Sequence, residues 1–179
     1  VKLNNQTKLL AKTARKLEDQ IYKIESSSKK TNEMQKKLAA LTKKKSETVT
    51  KVNAACEQLN DHVYKTAQFW IRKGKTVGLV GGDHSTPFGL LRAVSEKLKR
   101  DFGVLHIDAH HDLRNAYEGF QHSHASIFHN VMQSNWSPKA LVQVGIRDFS
   151  EDESLYAKRV GIHVFYDLNI QKMKSDGKN

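Results

Sequence analysis

The sequence predicts an α/β fold: a mainly parallel sheet covered by helices on both faces, preceded by a lysine-rich helical region. Three observations carry this. Beyond Gly74, apolar runs of strand length alternate with amphipathic stretches of helix length, the pattern of right-handed βαβ units. Two of those runs end in polar clusters, GGDHS (81–85) and DAHHD (108–112), and in open parallel sheets the ligand crevice lies at the carboxyl ends of the strands. The charge is also uneven. Residues 1–76 carry 18 Lys+Arg against 7 Asp+Glu, whereas residues 77–179 carry 12 of each, so the whole excess of +11 sits ahead of the predicted sheet.

Leu3, Leu10, Leu17 and Ile24 recur every seven residues, with Ala14 and Ile21 in a second row, which predicts an amphipathic helix over 1–25. SSSKKTN (26–32) ends it. A second helical pattern runs through Met34, Leu38 and Leu41, KKKS (43–46) interrupts, and a third follows through Val52, Ala55, Leu59, Val63 and Ala67 to Arg72, with Gly74 as its stop. KTVGLVGG (75–82) predicts a short buried strand, FGLLRAVSEKLKR (88–100) a helix, FGVLHIDAH (102–110) a strand and ASIFHNVMQS (125–134) a helix. KALVQVGIRD (139–148) and GIHVFYDLN (161–169) add two strands around the short helix SEDESLYAKRV (150–160). The chain divides on this reading into a lysine-rich helical region, 1–50, and a partial αβα domain, 51–179.

The lysines are scattered around their helices with few aromatics between them, the texture of a solvated face rather than of a nucleic-acid or membrane surface. No apolar run reaches the ~18 residues of a membrane span, and the N-terminus lacks the apolar core of a signal peptide. A single cysteine, Cys56, cannot form an internal disulfide, so a cytoplasmic location is expected.

Asp108, His110 and Asp112 stand at i, i+2 and i+4. If the chain stays extended past Asp108, all three point to one side and surround a single centre, with His84 as a fourth ligand from an adjacent strand end. Carboxylates and imidazoles without thiolate favour a hard or borderline ion such as Mn²⁺ over structural zinc. Ser85 is the competing candidate as a nucleophile, but GGDHST lacks the G-x-S-x-G elbow. Ser85 and Thr86 are expected to cap the following helix. Gly81 and Gly82 match neither phosphate-binding glycine pattern and are assigned to a sharp turn.

VGGDHSTP, HIDAHHD, EGFQHSHASI and LVQVGIRD together resemble the ureohydrolase superfamily of arginase, agmatinase and formimidoylglutamase, over roughly residues 50–168. The resemblance implies an arginase-like three-layer αβα domain with two Mn²⁺ ions. His84, Asp108 and Asp112 would hold one ion, and His110, with Asp108 as bridge, would help hold the other. A metal-bridging hydroxide would then cleave a guanidino or amidine C–N bond, in the agmatinase-like case releasing urea and an amine. His124 matches a proton-shuttling position, the alternative being a histidine packed at a helix start. His106, His111, His122 and His129 are left outside the site. The resemblance also implies a D-x-D pair on a later strand, which this sequence lacks, so the chain is expected to be a fragment with four of six ligands and little activity alone. Complete relatives commonly form homo-oligomers. Agmatine is preferred over formimidoylglutamate, arginine and guanidinobutyrate, and Arg114 in LRNAYEGFQ is a candidate for greeting an acidic substrate tail. The reading from another class is a catalytically inactive helical scaffold.

Overall fold

The structure, a computed structural model, describes residues 2–27 and 31–177, with the side chains of residues 2–4 outside the described set. The side chain of Leu3 and the Ser28–Lys30 part of the expected helix break therefore lie outside the described residues. The chain forms two units, Val1–Leu59 with Glu118–Phe120, and Asn60–Tyr117 with Gln121–Asn179.

In the first unit, α1 spans Lys2–Glu25 and the expected stripe is its buried face: Ala14, Leu17 and Ile21 are buried. Ala14 forms a small core with Val52 and Phe120, flanked by Leu10, Ala11, Val49 and Cys56. Helix α2, Asn32–Arg72, whose residues from Asn60 onward belong to the second unit, begins where the Thr31 hydroxyl accepts the Met34 N–H at 3.2 Å, a side-chain cap. It then runs for 41 residues without a break, which corrects the two helices expected on either side of KKKS. Lysine is a good helix former, and nothing in KKKS removes a backbone N–H or demands a positive φ. The repeat also weakens along α2, since Leu59 lies exposed.

In the second unit, three parallel strands lie in the order β1 (Gly103–Ile107), β2 (Ala140–Ile146), β3 (His163–Tyr166). The helices are α3 (Phe88–Lys97), α4 (Ile127–Gln133), α5 (Glu151–Val160) and α6 (Asp167–Ser175). Leu141 of β2, Ile127, Phe128 and Val131 of α4, and Tyr156 and Ala157 of α5 form the core with Leu113 and Ile162, and Phe88 and Leu91 of α3 pack against it. Leu105, Ile107 and Phe165, on alternate strand positions, stay exposed. Helix α5 is the most fully specified element. Ser150 and Glu153 form a reciprocal capping box, and Gly161, at φ +75°, supplies the left-handed stop that a side chain would strain.

Two expectations are corrected here. KTVGLVGG forms no strand: residues 75–80 carry no ladder, and Val80 is 99% exposed. A strand exists only when a neighbour satisfies its N–H and C=O groups, and among the described residues β1 pairs only with β2. The final strand stops at Tyr166, because Asp167 opens α6.

Candidate metal centre

The centre is assembled at the carboxyl end of β1. The ladder continues one residue past the strand, the Asp108 N–H donating to the Val144 carbonyl at 3.1 Å. The chain then bends instead of staying extended. Arg147 and Asp148 N–H groups both donate to the Ala109 carbonyl, and His110 bridges to Asp148. Asp112 takes φ +54°, a left-handed conformation uncommon for a residue with a Cβ. It is held there because its carbonyl accepts the Phe128 N–H at 3.1 Å, at the start of α4. On the next residue the Leu113 N–H donates to the buried Glu153 carboxylate at 3.1 Å, which anchors the loop to α5.

On the other side, Asp83 shapes the turn that presents His84. Its carboxylate accepts both the Ser85 N–H, at 2.8 Å, and the Ser85 hydroxyl, at 2.6 Å, while its carbonyl accepts the Thr86 hydroxyl at 2.7 Å. Neither hydroxyl caps α3, correcting the expected role: the N-cap position is Pro87, with no side-chain cap. The turn is tight, since a Cβ on Gly81 would overlap the Thr86 side chain. Two polar clusters thus converge although the segment before His84 is not a strand.

One ligand atom from each of His84, His106, Asp108 and Asp112 lies within 4.8 Å of the others. His84 Nδ1 is 2.6 Å from Asp112 Oδ2 and 3.5 Å from Asp108 Oδ2, and His106 Nε2 is 3.6 Å from that same Asp108 oxygen. His110 does not belong to this group. It lies on the other oxygen of Asp108, its N–H 3.0 Å and its Nδ1 3.3 Å from Oδ1, while its Nε2 is 3.5 Å from Asp148 Oδ2. The expectation that Asp108, His110 and Asp112 face one side of an extended chain is therefore corrected: the bend at Asp108 and the left-handed Asp112 put His110 and Asp112 on different sides of the Asp108 carboxylate. His124 opens a short 3₁₀ turn, is exposed, and sets its ring edge-on to Tyr117 with centroids 5.6 Å apart. Arg114 is partnered within its own unit, 3.6 Å from the Glu153 carboxylate and over the Tyr117 ring.

The electrostatics follow from the geometry. The hydrogen bond to Asp112 favours the charged form of His84, raising its pKa against the opposing effect of burial, with the charges of Asp112, Asp108 and Asp83 helping. Burial pushes His106 down to about 4, and the neighbouring His84 adds to this. Burial alone would raise Asp108, but the His110 backbone N–H and the surrounding imidazoles hold it below the usual carboxylate value. Phe128 backs the site, its ring centroid 4.3 Å from that of His106 and 5.7 Å from that of His84.

Two residues escaped the sequence reading. His106 sits two positions before Asp108 on the same face of the same strand, so the alternation that groups Asp108 with later residues also reaches back to it. Asp148 carried no signal of its own, because its place beside His110 arises from a backbone bridge between β1 and β2 extensions.

The family model described as Arginase family matches residues 11–177. The chain belongs to the arginase family. Mitochondrial arginase 1 of Arabidopsis thaliana is 40% identical over 87 residues, 49% of this chain and 25% of that protein. The N(1)-aminopropylagmatine ureohydrolase of Thermus thermophilus is 41% identical over 95 residues, 53% of this chain and 31% of that protein. Among solved structures, the arginase from Medicago truncatula superposes with a TM-score of 0.61 at 32% identity, covering 70% of this chain and 40% of that one. The arginase-family chain described here thus spans between a quarter and a third of the length of the curated relatives it matches. The parallel sheet with flanking helices is the arginase-like fold that the motifs implied. No described helix is long and apolar enough to cross a membrane.

Proposed function

We propose that this chain carries the larger share of a binuclear Mn²⁺ centre of an amidine hydrolase, agmatinase-like in substrate class, acting on a small guanidino molecule. The observation that carries this is the division of the Asp108 carboxylate. One oxygen faces His84, which is bonded to Asp112, and the other faces His110. A carboxylate presenting its two oxygens to two separate imidazoles suits a bridge between two ions, and the donor set of oxygen and imidazole without thiolate suits Mn²⁺. His84, Asp108 and Asp112 would hold one ion, and His110 with Asp108 would help hold the second. Ions bound there would supply a water-derived nucleophile near neutral pH.

The chain's own residues do the rest. Phe128 and His106, both buried, pack their rings against that of His84. His124, an exposed imidazole, would carry a proton to the departing amine. Arg114 is already paired with Glu153, which favours agmatine over the acidic tail of formimidoylglutamate. Arginine remains the competing substrate, since the arginases of Arabidopsis and Medicago are among the relatives. We propose a cytoplasmic homo-oligomer with no nucleic-acid partner.

The test is Mn²⁺ titration of the 179-residue chain, followed by urea release from agmatine, arginine and guanidinobutyrate and by hydrolysis of formimidoylglutamate. His84→Ala should abolish Mn²⁺ binding. Unchanged binding in that variant would sink the centre, and salt-sensitive polyanion binding as the sole activity would support the scaffold reading instead.

A further inference from the structure

Behind the centre runs a buried hydrogen-bond chain that the ligand assignment does not use. His111 and Gln143 are both 0% exposed and His106 is 4% exposed. His106 and Gln143 are register partners of β1 and β2, so their side chains share one face of the sheet. The direction of the chain is fixed by a group that has no choice. The His111 carbonyl can only accept, and Gln143 Nε2 lies 2.8 Å from it. The amide nitrogen must therefore face that carbonyl, because a flipped amide would oppose two acceptors.

The remaining assignments follow in sequence. Gln143 Oε1 is then the acceptor 2.6 Å from His111 Nδ1, so the His111 proton is on Nδ1. The second N–H of Gln143 donates to His106 Nδ1 at 2.9 Å, so that nitrogen carries the lone pair. A neutral imidazole with its lone pair on Nδ1 has its proton on Nε2. His106 Nε2 is buried without a hydrogen-bond partner and faces Asp108 Oδ2 at 3.6 Å.

We propose that Gln143, oriented by His111, is a positioning residue that locks His106 in its Nε2–H form, making His106 an N–H donor facing Asp108 and excluding it as a metal ligand. By distance alone His84, His106, Asp108 and Asp112 all qualify as ligands; the tautomer sets His106 apart. A ring whose available nitrogen carries a proton cannot coordinate, but its N–H dipole restrains the Asp108 carboxylate between His84 and His110, as outer groups restrain metal ligands elsewhere. The tautomer assignment stands on hydrogen bonding alone, whereas the consequence for a metal rests on the proposed centre.

Two measurements on the full chain test the two parts separately. Long-range ¹H–¹⁵N correlation of the histidine rings, without metal, should show His106 as Nε2–H and His111 as Nδ1–H. Gln143→Glu, which can only accept, should move the His106 proton to Nδ1. A wild-type His106 carrying its proton on Nδ1 overturns the relay. Free Mn²⁺, followed by its electron paramagnetic resonance signal, should then show binding weakened ~10–100-fold in His106→Asn and in Gln143→Leu, the range for loss of a group behind a ligand, and abolished in His84→Ala. Loss in His106→Asn as complete as in His84→Ala would make His106 a ligand, and unchanged affinity would leave it positioning nothing; either overturns the proposal. Both expected tautomers in a wild-type chain that binds no Mn²⁺ would uphold the relay and defeat the metal-centre reading.

Discussion

Asp112→Asn isolates the carboxylate charge at the centre with little other disturbance. Asn has the same shape as Asp, tolerates the left-handed backbone that Asp112 adopts at φ +54°, and keeps the carbonyl that accepts from Phe128 at the start of α4. What it loses is the charge on the 2.6 Å bond to His84. A hydrogen bond to a charged group contributes roughly 1.5–3 kcal/mol and a neutral one roughly 0.5–1.5, so the metal-free variant should be about 1 kcal/mol less stable. Metal enlarges the gap. At an Mn²⁺ concentration a hundred times the dissociation constant, wild type gains about 2.7 kcal/mol by linkage, while a variant without a charged ligand gains little. The difference should widen to about 3–4 kcal/mol. Urea unfolding followed by tryptophan fluorescence, with Trp136 packed against the core of this unit, measures both gaps in EDTA and in MnCl₂. A gap that is the same in the two solutions would refute the reasoning, because Asp112 would then be a structural partner of His84 and no ligand.

Leu141→Ala, which truncates a side chain 1% exposed in the core shared with α4 and α5, should cost about 2–5 kcal/mol, seen as a lowered urea midpoint. Ser150→Ala removes the capping box of α5 and should cost about 1 kcal/mol, with Ser150→Asp restoring most of it. Tyr64 gives a pH test away from the metal centre. Burial and the Glu96 carboxylate, 2.8 Å from the phenol, raise its pKa above 10.0. Above pH 10 the unfolded chain loses this proton before the folded one does, so stability should fall as pH rises toward the folded value. Glu96→Gln should flatten that fall and move the Tyr64 step of the tyrosinate absorbance titration to lower pH.

Some elements were legible because their signals are local. Ser150, Glu153 and Gly161 mark both ends of α5 within a dozen residues, and the alternation in KALVQVGIRD marks the strand whose Leu141 and Gln143 turn inward. TVGLVGG misled because an apolar run states a preference for burial and says nothing of a partner. Without a neighbouring ladder Val80 stays exposed and no strand forms. KKKS misleads in the opposite sense: a polar stretch reads as a break, although helix continuity depends on the absence of Gly and Pro rather than on the presence of apolar residues.

The centre was legible as a set of residue types but not as a shape. His84, Asp108 and Asp112 come together because the motifs fix identities at fixed spacing. The division of labour around Asp108 depends on a left-handed residue, a backbone bridge to Asp148 and an amide whose orientation is set by a carbonyl. None of these is a side-chain preference that a sequence displays. His106 illustrates the consequence. Its position on β1 brings it as close to Asp108 as His84 is, yet the hydrogen bond it accepts from the neighbouring strand turns its N–H toward that carboxylate. Proximity makes His106 a candidate ligand, and the pairing of β1 with β2 argues that it is the support of one.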